Sequence, residues 1–265
     1  MNKKKYKISD FSKLTGMSLK TLKHYEKLKI LIPEVDNDNN YRYYNYYHCG
    51  RMLRSKCFTN LGFTVKETSH LINDKGIDEI ISDLEKQEAD IGKEIELISL
   101  RQERIKEIKQ RYELFRERPN TWLIGRRKAC YLIRHVQDGA FVEDEKTWTR
   151  INDMINYQPH IIEIFYYPKN SVQDNFIAMG IDAKTAEKLD IDTSNPMIFM
   201  KEEKCFIYVY SSKTADCNLE LINKILKIME NEGYKISGDI VVEGGLDQYP
   251  NGERIFQKLF WIPIE

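Results

Sequence analysis

Several features that would place this chain in a common functional class are missing from its sequence. The five cysteines stand far apart, with no CxxC pair and no cysteine–histidine cluster, a pattern that favours free thiols. No apolar run approaches the roughly 20 residues needed to cross a membrane, and the lysine-rich N-terminus has no signal-peptide core. There is no Ser-His-Asp, metal-ligand or glycine-rich phosphate pattern. We therefore expect a cytoplasmic protein with no catalytic residues, metal, cofactor or membrane partner.

The formal net charge of zero conceals an uneven distribution along the 265 residues. Residues 1–75 hold 15 Lys and Arg against 7 Asp and Glu, whereas residues 76–118 hold 9 against 12 and residues 119–265 hold 17 against 22. Such a split indicates a basic head that meets a polyanion and a body that does not. We expect these three ranges to be a DNA-binding domain, a coiled-coil helix and an effector-binding domain.

Two short helices are predicted near the N-terminus. Ser9 is the expected N-cap of the first, whose apolar residues recur at three-residue intervals as Ile8, Phe11, Leu14 and Met17. Gly16 marks a tight turn, and Ser18 caps a second helix with the apolar face Leu19, Leu22, Tyr25 and Leu28. Two helices joined by a short turn form a helix-turn-helix pattern, although any small helical domain can show it.

A hairpin and another pair of helices follow. After Pro33, "EVDNDNN" has turn chemistry and precedes "YRYYNYY", so the natural interpretation is a β-hairpin, or wing. The next helices are expected at Tyr47 to Leu61 and at Thr64 to Ile72, where Thr64 and Glu67 form a capping box.

The second helix and the wing carry the candidate contacts to DNA. Lys20, Lys23 and Lys27 share one helical face with His24, and a short cationic helix fits the major groove. An arginine and tyrosine hydroxyls of the wing can reach phosphate oxygens. The alternatives are a solvated lysine face and a tyrosine mini-core. The candidate DNA-binding residues are Lys20, Thr21, Lys23, His24, Tyr25, Tyr41, Arg42, Tyr43 and Arg51.

A seven-residue repeat begins at Ile77 and continues as Leu84, Ile91, Ile98, Ile105 and Tyr112. Its length and register predict a coiled-coil helix of roughly 60 Å that Pro119 ends. One such helix cannot bury its own seam, so we expect a homodimer joined through Leu84, Ile91, Ile98 and Ile105. The alternative is a helix that lies on its own C-terminal domain.

The C-terminal part predicts an α+β fold with helices on one sheet face. The order strand–helix–strand–strand occurs twice. Strands are expected at Cys130–Val136, His160–Tyr167, Met197–Met200, Lys204–Tyr210, Gly238–Glu243 and Ile255–Ile264, and helices at Val142–Tyr157 and Asn218–Glu232.

The N-terminal motifs resemble a known family. "TLKHYEKLKILIP" followed by "NNYRYY" looks like the recognition helix and wing of MerR-type transcriptional regulators, Thr-Leu-Arg-Tyr-Tyr-Glu, Gly-Leu-Leu-x-Pro and Tyr-Arg-x-Tyr. "FTNLGFTVKETSHLI" resembles their second helix pair, so the likeness covers about residues 1–118. Lys23, His24 and Lys29-Ile30 depart from the pattern, and lysine keeps the charge of arginine but loses its planar fork.

This resemblance implies a winged helix-turn-helix and a homodimer with antiparallel long helices. It also implies double-stranded promoter DNA with a spacer too long for RNA polymerase. An effector then makes the dimer bend and untwist that DNA. The deformation costs several kcal/mol, so the effector must favour the bent complex by a comparable amount.

The C-terminal stretches "FWIPIE" and "GYKISGDIVVE" resemble, more loosely, the GyrI-like effector domain of multidrug-responsive members. If the aliphatic residues of "CFIYVY" pack on helices, Phe206, Tyr208 and Tyr210 line the other face, and Glu243 supplies a counter-charge to a flat lipophilic cation. Ordinary core aromatics and a solvated strand end are the alternatives. The remaining wall candidates are Tyr131, Trp148, Tyr166, Tyr249, Phe256 and Trp261.

We therefore expect a transcriptional regulator of the activator type in this family, with a small lipophilic effector. Some GyrI-like domains are hydrolases that use a carboxylate and aromatics in the same cleft, so degradation of the ligand stays open. A purely structural domain and a constitutive DNA-bending repressor, which would have a collapsed cleft, also stay open.

Overall fold

The computed structural model describes residues 4–37, 40–213, 219–244 and 247–265. Its contacts divide the chain into two compact units, residues 1–97 and 98–265. The division falls inside a long helix rather than at either end of it. Among the described residues, no helix combines the length and the apolar character needed to span a membrane.

The first unit combines short helices with a small sheet. Its strands are β1 (Tyr6–Lys7), β2 (Glu34–Val35) and β3 (Arg42–Tyr44), and its helices are α1 (Ile8–Thr15), α2 (Leu19–Lys27), α3 (Tyr46–Asn60), α4 (Val65–Asn73) and the start of α5 (Ile77–Glu117). The three strands are antiparallel in the order β1-β3-β2, so the expected hairpin and the two helix pairs are confirmed. Phe11, Leu22 and Tyr44 form the centre of the core.

Local signals fix most helix boundaries in this unit. The Ser18 side chain accepts a hydrogen bond from the Thr21 amide, and the capping box between Thr64 and Glu67 is present. Gly16 has a φ of 70°, the left-handed conformation that glycine adopts at no steric cost. The expected Ser9 cap is wrong, because α1 begins at Ile8 and Ser9 already lies within the helix.

The second unit is built on one antiparallel sheet. Its strands are β4 (Thr121–Arg127), β5 (Cys130–Gln137), β6 (Ala140–Phe141), β7 (Ile162–Tyr167), β8 (Phe176–Asp182), β9 (Ile198–Met200), β10 (Glu203–Ser212), β11 (Ile240–Glu243) and β12 (Phe256–Pro263). Its helices are α6 (Glu145–Ile155), α7 (Ala183–Lys188) and α8 (Leu219–Asn231), together with the end of α5.

The sheet contains a structural repeat. Eight strands follow the order β4-β10-β12-β11-β7-β8-β5-β6, and β9 pairs with β5. The segments β5-α6-β7-β8 and β10-α8-β11-β12 therefore have the same strand–helix–strand–strand order, and β7 pairs antiparallel with β11 where the two halves meet. The expected duplication is confirmed, although the last strand of its first half is β8 and not β9.

Each face of this sheet is covered by different helices. Ile222, Ile225 and Met229 of α8 pack on one face, and α6 and α7 cover the same face of the other half through Ile151, Met154 and Ala186. Leu114 and Phe115 of α5 pack on the opposite face with Ile207 and Leu259. The sheet is thus enclosed on both faces, and helices are not confined to one side as the sequence suggested.

Strands β4 and β8 were not expected from the sequence. Each contains a central glycine, which weakens an alternating pattern, and β4 ends in two arginines. Gly180 of β8 lies close to a neighbouring side chain: a Cβ built there would be 2.3 Å from Ile164 Cδ1, so a larger residue would require the Ile164 side chain to shift. Cys49, Cys57, Cys130 and Cys205 are free, whereas Cys217 lies outside the described residues.

Candidate functional site

The outer face of α2 presents the expected cationic surface. The side chains of Lys20, Lys23, His24 and Lys27 are all exposed. Thr21 is half-buried, and its hydroxyl lies 2.7 Å from the Ser18 hydroxyl at the start of the helix. A short helix with this charged face can enter the major groove with its N-terminal residues directed at base edges.

The structure corrects the prediction that Tyr25 contacts DNA. Its side chain is 3% exposed and packs in the core with Phe11 and Leu22. The residue is three positions after Leu22, so the helical period places it on the buried face and away from any duplex.

The wing residues are exposed but are held by neighbours. Arg42 has its Nε 3.4 Å from Glu26 Oε2, and Lys7 Nζ lies 4.8 Å from the centre of the Tyr41 ring. Tyr43 is half-buried in β3. Burial raises the pKa of Glu26 above its ordinary value, against the attraction of Arg42 and Lys23. The Arg42 guanidinium is therefore oriented by Glu26 at the surface of the wing.

Arg51 contacts the backbone after α2. Its Nε donates to the Ile30 carbonyl at 2.8 Å, and its Nη2 donates to the Lys29 carbonyl at 3.2 Å. Lys29 has a φ of 57°, a conformation that non-glycine residues rarely adopt. The sequence marked Arg51 as a DNA contact, whereas these hydrogen bonds place it as a support for the turn that ends α2.

A cavity of about 260 Å³ lies in the second unit between the sheet and the last turns of α5. Leu114 and Arg111 of α5 contribute to one wall, and the sheet supplies the opposite one. Six of the thirteen sheet residues in this lining are aliphatic. The lining residues are Glu107, Gln110, Arg111, Leu114, Arg126, Arg127, Lys128, Cys130, Ile162, Ile164, Gly180, Ile181, Asp182, Ile207, Val241, Glu243, Leu259 and Trp261.

An ion pair crosses this cavity from helix to sheet. Arg111 Nη2 lies 2.8 Å from Glu243 Oε2, and the two side chains are only 16% and 11% exposed. The distance is that of an ion pair, but no guanidinium hydrogen is aligned with Oε2, which has no hydrogen bond among the described residues. The candidate counter-charge identified from the sequence is therefore already neutralised by a residue that the sequence did not single out.

The expected orientation of strand β10 is wrong. Phe206, Tyr208 and Tyr210 pack on the α8 side of the sheet, and the smaller residues Cys205 and Ile207 face α5. The amphipathic helix α8 offers a row of aliphatic side chains against which the three rings pack, and the smaller set is equally buried on the α5 side.

The other aromatic candidates are dispersed over the second unit. Of the ten predicted effector-binding residues, Glu243 and Trp261 line the cavity and the other eight do not. Tyr131 packs on the α6 side, whereas Trp148 and Tyr249 are exposed. Tyr166 stacks on Phe176 and its hydroxyl donates to Asp239. The centre of the Phe256 ring lies 4.3 Å from the Arg254 guanidinium. Their positions in strands of different parity, in helix α6 or in a loop explain why one aromatic wall does not form.

Arg127 is a cavity residue that sequence reasoning missed. It is 3% exposed, and its Nη2 donates to Glu203 Oε2 at 2.8 Å. Its Nε and Nη1, like Trp261 Nε1, are buried and have no hydrogen-bond partner in the described part of the chain. The signal was a terminal arginine in "TWLIGRR", a segment whose strand character was not recognised.

The predicted dimerisation residues remain exposed along α5. Leu84, Ile91, Ile98 and Ile105 are 36%, 38%, 53% and 66% exposed. Leu100 and Phe115, on other faces of the same helix, are buried. The end of α5 thus packs on the sheet of the second unit, as expected for a helix that lies on its own C-terminal domain. The residues of the seven-residue seam remain exposed and can pack against another surface.

Comparison with known proteins matches residues 6–75 to the family "MerR HTH family regulatory protein". The multidrug-efflux transporter 2 regulator of Bacillus subtilis is 34% identical over 93 residues, which are 35% of this chain and 34% of that protein. The regulator CueR of Escherichia coli O6:H1 is 26% identical over 123 residues, 46% of this chain and 82% of CueR.

Residues 6–75 are a MerR-type helix-turn-helix domain. The match to the Bacillus subtilis regulator spans about a third of that protein's length. A chain of the EcmrR–DNA complex aligns over 98% of this chain and 99% of its own length, at 18% identity and a TM-score of 0.39. The assignment of the MerR domain depends on the family match and on the winged arrangement of α2, β2 and β3.

Proposed function

We propose that the chain is a DNA-binding transcriptional regulator that responds to a small lipophilic molecule. The match of residues 6–75 to the MerR helix-turn-helix family supports the DNA-binding part most directly. The exposed face of α2 supplies Lys20, Lys23 and Lys27 for contact with a duplex. Proteins similar to this one include regulators of multidrug-efflux transporters, which favours a lipophilic effector.

The DNA interface combines helix and wing. We place α2 in the major groove of a double-stranded promoter, with Lys23 and His24 toward the DNA and Arg42 of the wing toward a phosphate. Lysine and arginine at these positions release counterions from the duplex, which makes the affinity dependent on salt.

We propose that the active form is a homodimer joined through α5. Its seam residues Leu84, Ile91, Ile98 and Ile105 are exposed and recur at seven-residue intervals, the spacing at which one helix packs against another. A two-fold protein of this kind binds a two-fold DNA site, and it can act on RNA polymerase by changing the path of the promoter between its two half-sites.

We assign effector binding to the cavity of the second unit, which we propose to be a GyrI-like domain. The repeated strand–helix–strand–strand order supports this assignment. The cavity is open to a ligand rather than collapsed, and Arg111 and Leu114 on one of its walls belong to α5. A ligand that displaces these side chains therefore acts on the same helix that carries the dimerisation seam.

Footprinting of the DNA upstream of the chain's own gene tests the proposal. Lys23→Ala should weaken binding to the protected site about tenfold, the effect of losing one charge-assisted contact to DNA. Fluorescence anisotropy with a labelled duplex of that site measures the change. Lys224→Ala is the matched control, because Lys224 is an exposed lysine on α8 in the other unit. Equal affinity of the wild type and Lys23→Ala would remove Lys23 from the interface.

A hydrolase is the second candidate, because Glu243 places a carboxylate oxygen without a hydrogen bond beside an apolar cavity. In that case a bound ester or other reactive compound should be converted by the wild type and not by Glu243→Gln. Chromatography of the compound after incubation with the protein distinguishes the two functions. We favour binding, because Arg111 already neutralises the carboxylate.

A further inference from the structure

The cavity in the second unit contains buried hydrogen-bond donors that have no partner among the described residues. Arg127 donates through Nη2 to Glu203 and to the Lys201 carbonyl, which leaves Nε and Nη1 buried and without a partner among the described residues. Buried donors without partners are costly, and a guanidinium forms its strongest hydrogen bonds with anionic acceptors. Arg127 is thus prepared to bind an acceptor that enters the cavity.

Trp261 adds a second donor to the same cavity. Its indole Nε1 is buried and has no partner in the part of the chain that the structure describes. An indole can donate but cannot accept. The unpaired nitrogens of Arg127 and Trp261 can therefore be satisfied by a ligand that carries a hydrogen-bond acceptor.

Each carboxylate of the cavity has a positive charge or a donor beside it. Glu243 is paired in charge with Arg111, although its Oε2 accepts no hydrogen bond among the described residues, and Glu107 accepts from Lys128. Asp182 accepts from the Thr185 amide at the start of α7. A cationic ligand at Glu243 would lie beside the Arg111 guanidinium, which repels it, whereas an anionic ligand can accept hydrogen bonds from Arg127.

The rest of the cavity is suited to a small apolar body. Ile164, Val241 and Leu259 are aliphatic sheet residues, and a volume of about 260 Å³ lies just below the usual range of roughly 300–1,000 Å³ for ligand pockets. Burial raises the pKa of the Cys130 thiol to about 11, so this residue adds no negative charge at neutral pH.

We propose that the cavity binds a one- or two-ring apolar compound that carries a carboxylate, with Arg127 as the residue that binds the carboxylate and Trp261 as an additional donor. This inference rests on the proposed function in one respect, that the second unit binds a small molecule. It replaces the lipophilic cation expected from the sequence with a lipophilic anion, because two nitrogens of Arg127 have no partner in the described part of the chain, whereas the charge of Glu243 is already balanced by Arg111.

Calorimetry with three compounds that share one ring system tests this ligand class on the full chain. The compounds are 2-naphthoate, 2-naphthamide and 2-naphthylmethylammonium, which are anionic, neutral and cationic. We expect 2-naphthoate to bind about tenfold more tightly than the ammonium compound, and Arg127→Met to weaken 2-naphthoate about tenfold while it leaves 2-naphthamide within about threefold.

Two further variants keep the test decisive. Arg127→Met leaves Glu203 without its partner, so the double variant with Glu203→Gln provides a second way to remove the guanidinium if the single variant does not fold. Arg150→Met is the control, because Arg150 is a mostly buried, ion-paired arginine outside the cavity. It should leave the affinity for 2-naphthoate unchanged.

Three results would overturn the inference. They are tighter binding of the ammonium compound, an unchanged 2-naphthoate affinity in both Arg127 variants, and no binding of any of the three compounds. The calorimetry contains no DNA, so it is independent of the DNA-binding proposal. A chain that binds 2-naphthoate but protects no promoter DNA contradicts only the regulator function, and a chain that binds DNA but prefers the ammonium compound contradicts only the ligand class.

Discussion

At the scale of single residues, we expect loss of the Arg111–Glu243 ion pair to lower the free energy of unfolding. Both side chains are mostly buried, so removing one leaves the other as an uncompensated charge. We expect Arg111→Met to lower the free energy of unfolding by about 3 kcal/mol, and the double variant with Glu243→Met to recover most of that loss. Urea unfolding followed by tryptophan fluorescence measures this, because Trp122, Trp148 and Trp261 all lie in the second unit.

A surface arginine provides the comparison for this residue-scale prediction. Arg116 also pairs with a carboxylate, Glu117, but its side chain is 73% exposed. Arg116→Met should change the stability by less than about 1 kcal/mol, because exposed ion pairs contribute little. If the double variant at Arg111 and Glu243 is no more stable than Arg111→Met, the pair does not act as a unit.

At the scale of elements, α5 has two faces with different surroundings. Leu100 and Phe115 are buried within the second unit, and the seam residues Ile98 and Ile105 are exposed. We expect Ile98→Lys to convert the dimer to a monomer, because a charged side chain in the seam must lose its water when two helices pair.

Light scattering after size-exclusion chromatography measures the mass in this experiment. Ser99→Lys is the control, because it adds the same charge at the next exposed position, outside the seven-residue series. A wild-type chain that elutes as a monomer at micromolar concentration would contradict the seam assignment before any variant is made.

At the scale of the whole molecule, the uneven charge distribution predicts behaviour that the net charge does not. The first 75 residues carry an excess of eight positive charges, although the net charge of the whole chain is zero. We expect the affinity for promoter DNA to fall steeply as salt rises, because each phosphate contact releases about one counterion. Fluorescence anisotropy across a salt series gives the slope, and a slope near zero would show that the basic head does not meet the phosphate backbone.

Local signals in the N-terminal part predicted structure well. The capping box at Thr64, the Ser18 cap, the turn at Gly16 and the hairpin of the wing depend on neighbouring residues along the chain, so the sequence alone predicts them. The specific run from Thr21 to Tyr44 also identified the MerR domain. Tyr25 was misplaced because an aromatic side chain gives no local signal of whether it is buried, and the hydrogen bonds of Arg51 to distant carbonyls likewise have no local signal.

The candidate ligand site was predicted less well, for a physical reason. The repeat of strands and helices follows from local periodicity, but which face of β10 meets α8 and which meets α5 depends on the packing of the whole sheet. Glu243 was predicted because it is a carboxylate at the end of an apolar strand, and Trp261 was predicted as one of the aromatic candidates. Arg111 and Arg127 were not found, since their importance depends on partners more than 70 residues away.

The sequence by itself determined the order of elements in the N-terminal part, the MerR domain and the exposed seam of α5, because each is encoded by neighbouring residues or by a short period. Only the tertiary structure decided which charges remain unsatisfied. Long-range pairing in the sheet brings Arg127 and Trp261 to one cavity with their donors unpaired and sets Arg111 against Glu243. Coulomb and hydrogen-bond energies depend on distance in space rather than along the chain, and this dependence changed the expected ligand from a cation to an anion.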